Sequence, residues 1–403
     1  MPATSHALIF VLITVMLDSI GLGIIIPVLP ELVVGLTGST LSQAAVYGGW
    51  LMFAYAVMQF FFAPILGNLS DRFGRRPILL ASLAAFGIDY ALMGFAPTIA
   101  WLFIGRLIAG AAGATMATAN AFVTDITEPK KRAQNYGLIG AAWGLGFIFG
   151  PVIGGFLGEI GPRVPFFAAA CLAGLNVVYG FFVLPETLAP ENRRAFSLRR
   201  ANTLGALRQI RAIPLVFALC GVFLLYQLAH DANPSVWTYY TKFKFNWTES
   251  DIGLSMGLVG LMVTLVMGVF TRLIIPRLGE KRTAFLGLVC GAVGYLGFAL
   301  APAGWVMLAF IVPFSFVGLT MPALRGIMAN QVPENAQGEL QGLLTSITSM
   351  TAIIAPLLMT QLFKEFSQDT APIYIPGMPF LVAGIFLVAS LGFSWRALRG
   401  IKR

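Results

Sequence analysis

The sequence predicts an all-α membrane protein with twelve transmembrane helices, and three observations lead to this prediction. The chain of 403 residues is 58% hydrophobic and only 11% charged, whereas soluble domains carry about 25% charged residues. Its apolar stretches are continuous rather than alternating, which argues against a porin-type barrel. A membrane helix needs about 20 apolar residues, so the chain accommodates roughly a dozen. A soluble enzyme and a disordered chain are both excluded.

Each predicted span is an apolar run bounded by charged residues, glycine or proline. The first run lacks a basic leading segment, so we expect a retained helix rather than a signal peptide. The three cysteines fall in apolar runs and the two histidines are far apart, so neither disulfides nor a metal site is expected. The predicted spans are 7–27, 45–66, 78–95, 98–122, 134–158, 165–184, 213–235, 252–275, 283–300, 304–329, 341–363 and 378–398.

The distribution of basic residues predicts the orientation of the chain. Of the 26 Lys and Arg residues, 20 lie on one side: 18 in the even-numbered loops or after the last span, and Arg272 and Arg396 at the adjoining ends of their spans. By the positive-inside rule, both termini face the cytoplasm of a bacterial inner membrane. The net charge of +9 is accounted for by this topology, so nucleic acid is not an expected partner. The exceptions are Arg163, Lys242, Lys244 and Lys364 on the opposite side, and Arg106 and Arg325 inside spans.

The chain is predicted to consist of two similar halves, 1–185 and 213–403, joined by a polar cytoplasmic linker, 186–212. At an offset of 205 residues, Arg72-Phe73-Gly74 aligns with Arg277-Leu278-Gly279 and Pro151 aligns with Pro356. Two six-helix repeats indicate a secondary transporter rather than a channel or a membrane enzyme. No phosphate-binding Gly-Lys-Ser/Thr loop is present, so ATP is not the expected energy source, and neither a cofactor nor catalytic residues are expected.

The loop after the second span carries charge in a compact pattern. It reads Gly67-Asn-Leu-Ser-Asp71-Arg72-Phe-Gly74-Arg75-Arg76-Pro77. Gly74 permits a tight turn. Asp125 lies at the end of the fourth span, on the same side of the membrane as this loop. An ion pair here can exist in one conformational state and break in another. We therefore expect a gate formed by Gly67, Asp71, Gly74, Arg75, Arg76 and Asp125; the alternative is anchoring of arginines at the membrane interface.

The fifth span is rich in glycine, which allows another helix to approach closely. Its pattern consists of Gly137, Gly146, Gly150, Pro151, Gly154 and Gly155. Gly150-Pro151 is expected to kink the helix. Ordinary tight packing is the alternative explanation.

The charged loop resembles the signature loop of the major facilitator superfamily, and the fifth span resembles the signature of its drug/proton antiporters. Leu17-Asp18-Ser-Ile-Gly21, Gly87-Ile-Asp89-Tyr90 and Gly105-Arg106-Leu resemble the Tet-type tetracycline/proton antiporters over nearly the whole chain. The resemblance implies the major facilitator fold, with two pseudo-symmetric six-helix halves. It also implies that Asp18, Asp89 and Arg106 take part in proton coupling. Independently, a charged residue within a span costs about 3 kcal/mol, which marks it as a functional candidate; a structural Asp89–Arg106 ion pair is the alternative.

The sequence departs from the Tet-type pattern in its second half. Val263 and Gly291 stand where the family has a histidine and an aspartate tied to proton coupling. The chain has instead His230-Asp231, expected near the outer end of the seventh span, and Arg325 in the tenth. His230 and Asp231 are candidates for a functional site or for side chains that extend to the membrane surface. The expected substrate cavity is lined by Asp18, Tyr55, Gln59, Asn120, Trp143, Gln227, Asp231 and Arg325.

Together these features predict proton-coupled export of an amphipathic small molecule or drug by alternating access, with tetracycline as one candidate. The expected partners are protons, a small-molecule substrate and the lipid bilayer, and the protein is expected to act as a monomer. Because Arg106 and Arg325 could bind a carboxylate, an organic-anion/proton transporter is the first alternative. A non-transporting receptor of the same fold is the second, but such a protein has little use for a gate.

Overall fold

The computed structural model describes residues 2–113, 115–128, 131–189, 191, 193, 214–333, 337–368 and 371–399. This part of the chain is helical and contains no strand. The helices of its first half are α1 Pro2–Ile24, α2 Leu29–Thr37, α3 Leu41–Phe73, α4 Arg75–Phe95, α5 Ile99–Ala112, α6 Thr115–Ile126, α7 Arg132–Ile160 and α8 Val164–Val183. Those of its second half are α9 Pro214–His230, α10 Ala232–Phe245, α11 Glu249–Leu265, α12 Thr271–Leu300, α13 Gly304–Ser315, α14 Thr320–Ala329, α15 Gln337–Ser367 and α16 Met378–Leu398.

The helices account for twelve membrane spans. Within the described residues, eleven helical stretches are long and apolar enough to cross a membrane. One of them, 249–300, has 52 residues, and its length of about 78 Å is more than twice the hydrocarbon thickness of about 30 Å. It is interrupted at Gly279, whose φ of 75° and ψ of 162° are not helical. This stretch therefore supplies two spans, and the prediction of an all-helical protein with twelve spans is confirmed.

The seventh span is longer than predicted, and this changes the position of two candidate residues. The prediction ended the span at residue 235, but α9 is followed directly by α10, which continues to Phe245. Pro234 lies in the first turn of α10, so its missing N–H leaves α10 intact and affects only the junction with α9. His230 and Asp231 consequently lie near the middle of a span of 31 residues, Leu215–Phe245, and the expectation that they are near its outer end is wrong.

The described chain divides into two compact units. The first comprises residues 1–40, 54–201 and 247–260. In it α1 packs along α7 and α4 packs along α8, and Phe10, Leu79 and Phe122 are buried in the core. The second comprises residues 41–53, 202–246 and 261–403. In it α9 and α12 both pack against α16, around buried side chains that include Phe223 and Leu344.

These units are not identical in composition to the halves 1–185 and 213–403, whose boundaries stay a prediction. Most of the predicted linker, at 190, 192 and 194–212, lies outside the described residues.

Contacts at the ends of the third and ninth spans repeat at the predicted offset of 205 residues. In the first unit, Arg75 Nε donates to Asp125 Oδ2 at 3.1 Å. At the equivalent positions of the second unit, Asn330 Nδ2 donates to Glu280 Oε2 at 3.4 Å. The next residue in each loop donates to a backbone carbonyl of the last helix of its half, Arg76 to Phe181 and Lys281 to Leu398. The same geometry is thus built with different charges, as expected for a duplicated half that has diverged.

Candidate functional site

The loop between the second and third spans folds around the side chain of Arg75. Gly74 joins α3 to α4 with a φ of 110°, a conformation that residues with a Cβ rarely adopt. Arg75 is 9% exposed. Its Nη1 donates to Asp71 Oδ1 at 2.5 Å and to Ser70 Oγ at 2.7 Å, and its Nε donates to Asp125 Oδ2 at 3.1 Å. The structure therefore brings Asp71, Arg75 and Asp125 into one cluster, whose role as a gate stays a prediction.

The other residues predicted for this loop have different surroundings. Arg76 Nη2 donates to the backbone carbonyl of Phe181 at 2.5 Å, and its guanidinium lies 5.5 Å from the centroid of the Phe181 ring. The carbonyl of Gly67 accepts a hydrogen bond from Ser70 Oγ at 2.8 Å. A Cβ at Gly67 would meet no atom within 4 Å. Packing in this structure therefore does not require glycine at position 67.

Sequence reasoning missed a further member of this cluster, Glu186. Its carboxylate accepts hydrogen bonds from four backbone N–H groups, two at the start of α4 and two in its own turn, donated by Arg75, Arg76, Thr187 and Leu188 at 2.9 to 3.3 Å. A Cβ at Gly74 would overlap this carboxylate. A carboxylate at a helix N-terminus is favourable both as a hydrogen-bond acceptor and through the helix dipole. Glu186 follows Pro185 at the start of the polar segment, and this position favours the linker rather than a helix cap.

Replacing Glu186 by glutamine is expected to lower the stability of the protein by about 1 kcal/mol, the usual cost of losing a helix cap. The amide keeps the size of the side chain but turns one acceptor oxygen into a donor that faces N–H groups. Thermal unfolding of the purified protein measures the effect. Glu191→Gln is the matched control, because Glu191 is exposed and lies only five residues further along the chain. Equal melting temperatures for the two variants would contradict the capping role.

The predicted ion pair within the membrane is present in the first unit. Arg106 Nη2 contacts Asp89 Oδ2, and Asp89 is fully buried. Asp89 Oδ1 and Arg106 Nε have no hydrogen-bond partner among the described residues. Gly105 leaves room for the carboxylate, since a Cβ there would overlap Asp89 Oδ1. The guanidinium of Arg106 also lies 5.8 Å from the ring centroid of Tyr55, an arrangement that stabilises a cation.

Asp18 lies on α1 beside this pair but is not part of it. The side chain of Thr115 faces its carboxylate, and Tyr55 and Tyr90 are within electrostatic reach. Gly21, one turn further along α1, leaves room for the Tyr90 ring. No basic side chain lies within 4 Å of Asp18 in the described part of the chain. Asp18 is only partly buried, so its carboxylate is a group that can gain a proton or a ligand.

The remaining cavity candidates of the first unit have different surroundings. Gln59 Nε2 donates to Tyr55 Oη at 3.2 Å and to the carbonyl of Gly113 at 3.3 Å. Trp143 is 37% exposed and stacks on Phe147 with ring centroids 5.3 Å apart. Asn120 is partly exposed, and its carbonyl accepts a hydrogen bond from Thr124 Oγ1 at 2.7 Å.

Three glycines of the fifth span allow α1 to lie directly against α7. A Cβ at Gly146, Gly150 or Gly154 would overlap the α1 backbone at Met16, Ile20 or Ile24, respectively. The three glycines are four residues apart and therefore share one face of α7. Small residues at this spacing are typical of close helix packing in membranes.

The other members of the glycine pattern differ from these three. A Cβ at Gly155 would overlap the backbone of Glu249 at the start of α11. Gly137 has no atom within 4 Å of a Cβ position. Pro151 lies inside α7, which runs from Arg132 to Ile160. The pattern thus serves two neighbouring helices, and Gly137 lies outside both contacts.

The second unit contains the other cavity candidates. Tyr226 on α9 is within electrostatic reach of both Asp231 and Arg325. Gln227 is 5% exposed, and its Nε2 lies 3.5 Å from Thr348 Oγ1. Arg325 is exposed, and no described carboxylate forms a salt bridge with it. The second unit therefore carries one acidic and one basic group that both act on the same tyrosine.

The positions that depart from the Tet-type pattern are apolar in their surroundings as well. A Cβ at Gly291 would lie 2.7 Å from Val317 and 2.8 Å from Leu387. Aliphatic side chains therefore occupy the space that an acidic residue would need. Val263 lies on α11 close to Gly318. Neither position can hold a proton in this protein.

Comparisons with known proteins agree with this architecture. The family model described as Major Facilitator Superfamily matches residues 11–356 and 244–400. The tetracycline resistance protein, class C, of Escherichia coli is 41% identical over 360 residues, which are 89% of this chain and 90% of that protein. Multidrug resistance protein 2 of Bacillus subtilis (strain 168) is 30% identical, with 96% of this chain and 94% of that protein covered.

Solved structures share the fold at lower identity. The human organic anion transporter MFSD10 (TETRAN) superposes with a TM-score of 0.71 at 22% identity, over 98% of this chain and all of that one. The nucleoside transporter NupG superposes with a TM-score of 0.78 at 14% identity, with 98% and 100% covered. Together with the sequence matches, these results show that this multi-pass inner-membrane protein belongs to the Major Facilitator Superfamily and, within it, to the Tet-type family.

Proposed function

We propose that the protein exports an amphipathic small molecule of the tetracycline type in exchange for protons. The relatives that cover most of the chain are named for tetracycline resistance and multidrug resistance. The observation that carries the proposal is Asp18, a carboxylate inside a membrane span that has no basic partner in the described chain and is only partly buried. A charged group within a membrane span is energetically costly, and this cost marks Asp18 as a functional residue.

The geometry of the first unit suggests how protons and substrate would share one site. Asp89 and Arg106 neutralise each other, so Asp18 is the group near Tyr55 whose charge is not balanced by an ion pair. Protonation of Asp18 removes that charge, whereas a cationic or zwitterionic substrate replaces the proton as its partner. Competition between a proton and a substrate for one carboxylate is sufficient to couple their movements in opposite directions.

Transport by purified protein in liposomes tests this proposal. An imposed pH gradient should drive accumulation of tetracycline, and collapse of the gradient should stop it. A panel of cationic, zwitterionic and carboxylate compounds identifies the substrate class. Wild-type protein that shows neither gradient-driven transport nor counterflow of any of these compounds would contradict the proposed function.

We also propose cytoplasmic termini, action as a monomer, and the proton gradient as the energy source without a cofactor. The cytoplasmic location of the termini is supported by the 20 basic residues on the side of the even-numbered loops and the end of the chain. Alternate labelling of cysteines introduced in the loops from the two sides of the membrane tests the orientation. The mass of the protein in detergent tests the oligomeric state.

Export or exchange of an organic anion is the second candidate function, and Arg325 is the observation that favours it. This permanent positive charge is exposed and has no salt bridge to a described carboxylate. A cation at this position attracts carboxylates and repels organic cations at short range.

Replacing Arg325 by glutamine is expected to raise the ratio of cation to anion transport by about tenfold, since a loss of 1.4 kcal/mol in charge interaction corresponds to that factor. Initial rates for a cationic and an anionic substrate in the same liposomes measure this ratio. Arg272→Gln is the control, because it removes an equal charge from a loop-proximal position. An unchanged ratio would show that Arg325 is an anchor at the membrane surface.

A further inference from the structure

The helix of the seventh span is broken at His230 and Asp231, and the break has a clear cause. Pro234 has no N–H to donate to the carbonyl of His230, and its ring crowds that carbonyl. Neighbouring side chains bind the adjacent carbonyl groups: Tyr295 Oη donates to Ala229 O at 2.5 Å, and Ser235 Oγ donates to Asp231 O at 2.6 Å. The break is thus held in place by its surroundings, about 24 Å along the span from its start at residue 215.

The carboxylate of Asp231 has no structural task at this break. Asp231 is the N-cap residue of α10, yet its side chain makes no capping hydrogen bond. Oδ2 is buried and has no hydrogen-bond partner among the described residues. Oδ1 lies 3.7 Å from His230 Nδ1, and the side chain as a whole is 17% exposed. A buried carboxylate oxygen without a donor is costly, and one added proton removes this cost.

His230 is the exposed neighbour of this carboxylate. Its side chain is 51% exposed, three times as much as that of Asp231. One face of α9 carries the exposed or half-buried apolar residues Phe217, Gly221 and Leu224. At 100° per residue, His230 lies on the other side of the helix from that face. The imidazole therefore faces away from the apolar stripe, and a short aspartate at mid-span cannot reach the membrane surface.

The charged and titratable groups that face Asp231 come from three further elements. Tyr226 on α9 and Tyr295 on α12 are within electrostatic reach of the carboxylate, and Arg325 on α14 acts on the same tyrosine. With His230, these are the groups for which the described chain shows an interaction with Asp231 or with its neighbouring tyrosine. None of them is a second carboxylate, and Arg325 forms no salt bridge with Asp231 among the described residues.

We propose that Asp231 is a second proton-binding carboxylate of the transport cycle, with His230 as the group that transfers protons between it and water. In the loading step, the proton leaves the His230 imidazolium, a bond forms between that proton and a carboxylate oxygen, and Asp231 becomes a neutral carboxyl group. Release reverses the step and returns the proton to the imidazole or to water. The inference rests on the proposed function, because it assigns a site to proton coupling in the second unit.

Labelling of the wild-type protein tests whether Asp231 carries a proton. Dicyclohexylcarbodiimide modifies protonated carboxyl groups in apolar surroundings, and mass spectrometry locates the label. We expect the peptide that contains Asp231 to be labelled increasingly as the pH falls. His230→Gln should slow the approach to this labelling without abolishing it. Absence of label on Asp231 at every pH, with label present on the Asp18 peptide, would overturn the proposal.

Transport by Asp231→Asn provides the second test and separates the two proposals. We expect at least a fivefold loss of gradient-driven tetracycline transport, with counterflow retained because counterflow requires no net proton movement. Asp251→Asn is the control, since Asp251 caps the exposed start of α11 through Thr248. If the wild type transports and Asp231→Asn is equally driven by the gradient, this inference fails alone. If the wild type shows no gradient-driven transport, the proposed function fails.

Discussion

Replacing Asp18 by asparagine is expected to abolish gradient-driven transport while leaving the fold in place. Asparagine has nearly the same shape but cannot exchange a proton. Because no basic side chain lies within 4 Å of Asp18 in the described chain, its removal leaves no unpaired cation behind. Coupling free energies of about 1 to 3 kcal/mol correspond to losses of 5- to 150-fold, and we expect the upper part of this range.

Asp89 differs from Asp18 because it is already part of an ion pair, so the two asparagine variants should differ in stability. Asp89 is fully buried and ion-paired with Arg106, so Asp89→Asn leaves an uncompensated positive charge and should destabilise the protein by about 3 to 5 kcal/mol. Asp18→Asn should instead unfold at the wild-type temperature. The measurements are pH-jump transport in liposomes, counterflow and thermal unfolding.

A surface variant controls for the loss of a carboxylate as such. Glu128→Gln removes an exposed carboxylate whose partner, Lys131, is 4.0 Å away, and it should behave as the wild type. Normal proton dependence in Asp18→Asn would exclude Asp18 as the proton carrier. Loss of counterflow together with gradient-driven transport would show that the substrate binds Asp18 as well, whereas retained counterflow would limit Asp18 to the proton.

Local sequence patterns predicted the parts of the site that lie within a few residues of each other. Asp71 and Arg75 are only four residues apart in the charged loop, and the turn at Gly74 brings them into contact at 2.5 Å. The depth of Asp89 and Arg106 in consecutive antiparallel spans predicted their pairing in the same way. Helical rise alone is enough to place such groups at the same level.

Contacts between residues far apart in sequence could not be predicted in this way. Glu186 is 111 residues from Arg75, and no periodicity in the polar segment around it indicates which helix it caps. The predicted seventh span ends ten residues too early, because the polar and charged residues after residue 235 do not show that the helix continues to Phe245. The neighbours of Asp18 come from several helices, and their rotation about their axes is not encoded in an apolar run.

The charged loop is expected to control the rate of the transport cycle rather than the stability of the fold. Arg75 donates hydrogen bonds to Asp71, Asp125 and Ser70, and its side chain is 11% exposed. If this cluster forms in one conformational state and opens in the other, any loss of its energy changes the balance of the two states. Slower turnover with unchanged folding is the signature of such a gate.

The exposure of each partner indicates how large the effects should be. The side chain of Asp71 is 39% exposed and that of Asp125 is 20% exposed. Solvent screening limits an exposed ion pair to about 1 kcal/mol, whereas removal of a partner from a more buried pair costs more. Asp71→Asn should therefore slow turnover about fivefold, and Asp125→Asn should slow it further. Arg75→Lys should not restore turnover, because one ammonium cannot reproduce the separate Nε and Nη1 hydrogen bonds of the guanidinium.

Initial rates of transport at saturating substrate, with thermal unfolding of each variant, measure these effects. Arg72→Gln is the matched control, since Arg72 lies in the same loop outside the charge cluster. Its guanidinium carbon lies 5.1 Å from the centroid of the Phe73 ring. A gate requires that the rates of Asp71→Asn and Asp125→Asn fall while their melting temperatures stay close to that of the wild type. If turnover is unchanged in both, the cluster only anchors the loop. If stability and turnover fall together, the cluster holds the fold of the first unit and does not distinguish the two states.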